Sequence, residues 1–122
     1  TLEANDDKQQ QYDEFLRIEK TVIDKGLFLQ PKLERSDVAK EMGISTSHFN
    51  EMFARFSDQS FTNFINNLRM EHAAKLLKDK SNYTIEAIAN ECGVPIRQTF
   101  YRLFSKKFGM TPAEYRRSMA EE

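Results

Sequence analysis

The chain has one cysteine, no tryptophan, three prolines and four glycines in 122 residues. A lone thiol excludes both a disulfide framework and a cysteine-based zinc cluster. Cys92, beside Gly93 on an apolar-periodic stretch, reads as a small core residue, and a reducing cytoplasm is the expected setting. Scarce glycine and proline leave few strand or hairpin signals. No run is long and apolar enough to span a bilayer, and no signal-peptide core follows Thr1. His48 and His72 do not have metal-ligand spacing, and no Cys, Asp or Glu cluster completes a site. A Gly-rich phosphate loop, an activated serine or cysteine and a facing pair of carboxylates are also missing. The expectation is a small soluble domain with no metal, no cofactor and no enzymatic activity.

Excess charge of one sign is missing too. The net charge of −1 argues against a purely electrostatic binder of nucleic acid. The average hides an asymmetry, however. Residues 1–30 carry seven acidic and four basic side chains, whereas residues 96–122 carry six basic (Arg97, Arg102, Lys106, Lys107, Arg116, Arg117) and three acidic.

What the chain does contain is a repeat. Val38-Ala39, then three further residues and Gly43, returns fifty residues on as Ile88-Ala89, three residues and Gly93. Behind each glycine stand a hydrophobic residue (Ile44, Val94) and two phenylalanines four apart, Phe49 and Phe53 in the first copy and Phe100 and Phe104 in the second. Ser60-Phe61-x-x-Phe64 is echoed by Thr111-Pro112-x-x-Tyr115, now at an offset of fifty-one, so the second turn holds one extra residue. This is the pattern of a duplicated helix-turn-helix.

Apolar spacing then divides an all-α chain. Residues 1–10 (TLEANDDKQQ) read as a disordered tail or linker cut from a longer protein. Residues 11–59 hold an N-terminal helix, from about Gln11 to Lys25 with Tyr12, Phe15, Leu16, Val22 and Ile23 as its apolar positions, and the first helix-turn-helix. Leu27 to Pro31 is expected as an extended connector docked on the core, because the residue before proline avoids the α region. The first scaffold helix covers about Arg35 to Met42 and the first recognition helix about Thr46 to Phe56, with Asp58 as a left-handed stop beyond it. Residues 60–80 form a linker helix ended by Ser81-Asn82. Residues 81–119 carry the second motif: a scaffold helix after Thr84, a recognition helix from about Ile96 to Lys107, and a last helix from Thr111 or Pro112. Ser45, Ser60 and Thr84 suit helix N-caps.

The segment GVPIRQTFYRLFSKKFGMTPAEYRR resembles the DNA-binding domain of AraC/XylS-type transcription regulators. It carries that family's Phe-x-Lys-x-Phe-Gly-x-Ser/Thr-Pro-x-x-Tyr-Arg signature as Phe104, Lys106, Phe108, Gly109, Thr111, Pro112, Tyr115 and Arg116. The first half is similar as well, and the likeness runs from about Leu33 to Arg117. It implies seven helices in two helix-turn-helix subdomains joined by a long linker helix, both recognition helices entering the major groove of double-stranded DNA. It also implies transcriptional regulation, activation above all, by the C-terminal part of a larger regulator. RNA polymerase is an expected partner. A sensory or dimerisation domain is expected outside this chain, and that missing part could be membrane-bound.

By position, the resemblance assigns base contacts to Ser47, Asn50 and Glu51 in the first motif and to Arg97, Gln98, Thr99 and Arg102 in the second. Phosphate contacts fall on Ser45, Arg55, Ser60 and Thr111. The chemistry suits these roles: arginine matches the O6 and N7 acceptors of guanine, Asn and Gln pair with adenine, and Glu accepts from cytosine N4. Long cations near helix ends position a protein without reading sequence, which adds Lys106, Lys107 and Arg116 to the phosphate set, and Tyr101 can stack or hydrogen-bond there. Two departures stand out. Family members commonly carry a basic residue at Glu51, and a serine or acidic residue in the turn held by Pro95 and Ile96. The alternative is a helical protein-protein interaction module in which the acidic first half and Glu51 face a protein partner.

Overall fold

The computed structural model describes residues 2–80 and 82–120. Among them it has seven α-helices and no strand: α1 (Leu2–Asp24), α2 (Arg35–Met42), α3 (Thr46–Phe56), α4 (Phe61–Asp79), α5 (Ile85–Glu91), α6 (Arg97–Phe108) and α7 (Pro112–Ala120). Thr1 and Ser81, the latter expected with Asn82 to end the linker helix, lie outside the described residues.

The chain forms two compact units. The first comprises residues 1–27 and 33–64, the second residues 28–32 and 65–122. In the first, α1 presents Phe15, Ile18 and Val22 to a core shared with Val38, Ala39, Phe49, Met52, Phe53, Phe61 and Phe64. Phenylalanine rings dominate it, Phe15 meeting Phe53 edge-on at 5.5 Å and Phe49 meeting Phe61 at 5.6 Å. Offset and edge-to-face pairs of this kind contribute beyond the area they bury. The second core gathers Met70, Ala73, Ala74 and Leu77 of α4, Ile88 and Ala89 of α5, Cys92 and Val94 of the turn, and Phe100 and Phe104 of α6. Tyr115 of α7 closes it against Phe104 and Phe108.

Four expectations change. The segment expected as a disordered tail, residues 1–10, is helical from Leu2 onward. It contains Leu, Glu, Ala, Lys and Gln with no glycine or proline, and helix-forming residues extend a helix that is already anchored downstream. Second, the buried stripe of α1 is Phe15, Ile18 and Val22, whereas Tyr12, Leu16 and Ile23 are exposed. Third, Leu27–Leu29 is a 3-10 turn rather than extended chain, because the restraint from Pro31 acts on Gln30 alone. Phe28 is buried, as a docked connector requires. Fourth, Asp58 has no positive φ. The chain leaves α3 through Ser57 in extended conformation, and the Ser57 hydroxyl both donates to the Gln59 carbonyl and accepts from the Gln59 N–H, turning the backbone without a left-handed residue.

Candidate nucleic-acid interface

Each unit contains a scaffold helix, a sharp turn and a second helix with one exposed face. In the first turn Gly43 takes φ +71°, and the Ile44 N–H bonds back to the Ala39 carbonyl. Ser45 then caps α3, its hydroxyl accepting the His48 N–H at 3.0 Å. In the second turn Gly93 takes φ +87° and the Val94 N–H returns to the Ala89 carbonyl. Pro95 is the extra residue before the N-cap, which is Ile96. Ile96 makes no side-chain cap bond and is 65% exposed.

The second turn is held from below by a residue that the sequence reading left without a role. Arg69 of α4 is buried and donates through Nε to the Phe28 carbonyl at 2.7 Å and through Nη2 to the Gln30 carbonyl at 2.6 Å. Burial draws its guanidinium below the ordinary arginine value. The strap so held packs on Gly93, where an added Cβ would come within 2.8 Å of the Leu29 carbonyl oxygen. A signal for Arg69 did exist, since it falls four residues after Ile65 and four before Ala73 on the buried side of α4.

On α3, Ser47, Asn50 and Glu51 are exposed, as expected for a reading face. Asn50 is not free, because its Oδ1 accepts from Arg35 Nη1 at 3.0 Å. Arg55 donates to Gln11 Oε1 at 2.6 Å and lies over the Phe56 ring. His48 Nε2 sits 3.2 Å from the Glu14 carboxylate. Thus α1, long enough to run beside α3, occupies two of the polar side chains of that helix. Among the described residues Ser47 and Glu51 make no side-chain hydrogen bond or ion pair.

On α6, Arg97, Gln98 and Arg102 are exposed and Thr99 is partly so. Arg97 leans back, 3.7 Å from Glu86, with its Nη2 3.4 Å from the Tyr101 hydroxyl and its guanidinium 4.9 Å from the Tyr101 ring centroid. The side chains of Gln98, Thr99, Arg102 and Lys106 have no hydrogen-bonding or ion-pair partner among the described residues. Lys107 pairs with Glu71 at 3.5 Å. Arg116 is half-buried and donates to the Lys80 carbonyl just beyond the end of α4, which complements the negative end of that helix. Ser60 and Thr111, expected at phosphates, cap α4 and α7. Thr111 and Glu114 exchange bonds, and those from Thr111 hold the Glu114 carboxyl below its ordinary value.

Residues 38–118 match the family model described as a helix-turn-helix domain. The chain belongs to the AraC-type helix-turn-helix family. It is 34% identical over 88 residues to the uncharacterised HTH-type transcriptional regulator YpdC of Escherichia coli (strain K12), matching 72% of this chain but only 30% of that protein. Its fold is similar to that of a DNA-binding transcriptional dual regulator from Escherichia coli K-12, with a TM-score of 0.76, 23% identity, and 87% and 91% of the two chains covered. It is also similar to the DNA-binding domain of AdpA, a global transcriptional factor solved in complex with a target DNA, with a TM-score of 0.70, 18% identity and 84% and 89% coverage. The AraC-type domain accounts for the paired cores and the repeated turn, and the relatives it brings carry names of transcriptional regulators rather than enzymes. No helix among the described residues is long and apolar enough to cross a membrane.

Proposed function

We propose that this AraC-type domain binds double-stranded DNA in a sequence-specific manner and serves transcriptional control within a larger cytoplasmic regulator. The observation that carries the reading is the outer face of α6, where Gln98, Thr99 and Arg102 are presented with no partner among the described residues. Arg102 is the principal base reader in this reading, with Gln98 suited to adenine and Thr99 to either a donor or an acceptor. Lys106 contacts phosphate. Arg97 and Lys107 join after exchanging exposed ion pairs, which are weak and easily given up. Ser45, Ser60 and Thr111 contribute through the helix N-termini that they cap, where backbone N–H groups favour phosphate. Tyr101 supports Arg97. Arg116 holds the end of α4 instead of a phosphate.

The first motif reads less. Ser47 and Glu51 are available, Glu51 rejecting phosphate while accepting from cytosine, and Asn50 must leave Arg35 to reach an adenine. RNA polymerase and a sensory or dimerisation domain are the further partners of the full-length regulator.

The test is a duplex-binding titration of this chain across a range of salt. A log-log plot of affinity against salt should fall linearly, with a slope of about −0.9 for each phosphate neutralised. A flat plot, or no binding, overturns the proposal in favour of a protein-interaction module.

A further inference from the structure

Among the described residues Ile96 is the most exposed large hydrophobic side chain, at 65%, against 42–46% for Tyr12, Leu16 and Ile23. It also occupies a position where an apolar residue weakens the helix. As N-cap of α6 it offers no acceptor to the first turn, whereas Ser45 at the matching place in the first motif bonds the His48 N–H. No feature of the core explains Ile96. Its side chain borders a surface depression together with Pro95, Thr99 and Arg102, so it adjoins the part of α6 whose polar groups have no internal partner. Isoleucine is branched at Cβ and stiff about χ1, which makes it a fixed apolar projection.

We infer that Ile96 is a specificity-determining residue whose side chain packs on the C5 methyl group of a thymine in the major groove, beside the base pair read by Arg102. The major-groove edge of thymine carries the one methyl group that distinguishes it there, and apolar side chains read it by contact. The exposed apolar surface then has a partner in the complex that it lacks in the free protein. The inference rests on the DNA-binding reading above and adds the base to which the turn responds.

The experiment uses this chain and a duplex enriched from a random pool. Each thymine of the enriched site is replaced in turn by deoxyuracil, which removes only the C5 methyl, and affinity is followed by fluorescence anisotropy. One replacement should weaken the parent chain about fourfold, the value of a single methyl group taken out of water. The same replacement should change Ile96→Ser less than twofold. Ile96→Ser should melt no lower than the parent, since serine can cap α6, so a change in its binding cannot be laid to unfolding. Indifference of the parent chain to uracil at every thymine overturns the inference, and so does an equal loss in Ile96→Ser. Failure to enrich any duplex would overturn the DNA-binding reading itself, which keeps the two failures apart.

Discussion

The two helix-turn-helix units repeat one pattern yet use their polar side chains in opposite ways. In the first, α1 and α2 take up the recognition helix: Glu14 holds His48, Gln11 holds Arg55 and Arg35 holds Asn50. In the second, neighbouring helices reach only Arg97, through Glu86, and Lys107, through Glu71, and the side chains of Gln98, Thr99, Arg102 and Lys106 are left without internal partners among the described residues. A duplicated scaffold therefore does not give duplicated function. What each copy offers to a ligand depends on which neighbours have already claimed its donors.

The turns differ in the same spirit, and substitution can sharpen the contrast. Gly43 and Gly93 both have positive φ, but an added Cβ meets nothing within 4 Å at Gly43 and backbone at 2.8 Å at Gly93. Gly93→Ala combines about 1 to 3 kcal/mol of backbone strain with a clash that only a shift of the strap relieves, so a loss of roughly 3 kcal/mol or more in denaturant unfolding is expected. A second contrast concerns Cys92, buried in the second core, where burial pushes the thiol up to about 11. Because the folded value lies above the unfolded one, the associated stability is complete below the unfolded value and is lost as pH rises through 9 to 11, at about 1.4 kcal/mol per unit of difference. Alkaline unfolding should therefore weaken the second unit first, and Cys92→Ala should remove that part of the slope. A thiol reagent should not label Cys92 in the folded chain at pH 8.

Arg102→Ala should weaken specific DNA binding by about 1 to 3 kcal/mol and relax the preference at one base pair, whereas Asn50→Ala, its counterpart on α3, should change affinity less. Equal losses in a binding assay would break the asymmetry between the motifs. The smallest effect belongs to Gly43→Ala, about 1 kcal/mol by the same unfolding measurement, since only the backbone is strained there. If it matched Gly93→Ala, the crowding at the second turn would not matter.

Much of this was readable before the fold. The bounds of α2 and α3 and the caps Ser45, Ser60 and Thr84 follow from local rules, because a cap and the N–H it accepts are three residues apart. The facing of α1 was not readable. Two stripes, Phe15-Ile18-Val22 and Tyr12-Leu16-Ile23, are both apolar at helical spacing, and only the packed core decides between them. At the candidate site, the exposed positions of α3 and α6 were legible from periodicity, but not which of them are occupied. Arg55 finds Gln11 forty-four positions away and Arg116 finds Lys80 thirty-six away, distances over which long flexible side chains leave no sequence trace.

The strap at residues 28–32 bears on how the duplication is built. The chain enters the second unit there, between α1 and α2, and then goes back to complete the first. No single cut separates the halves into whole modules. A fragment starting at Ile65 would retain Arg69 but lose both carbonyls that receive it, and would leave Gly93 uncovered. The two motifs are interleaved along the sequence, and neither inherits a complete fold from the other.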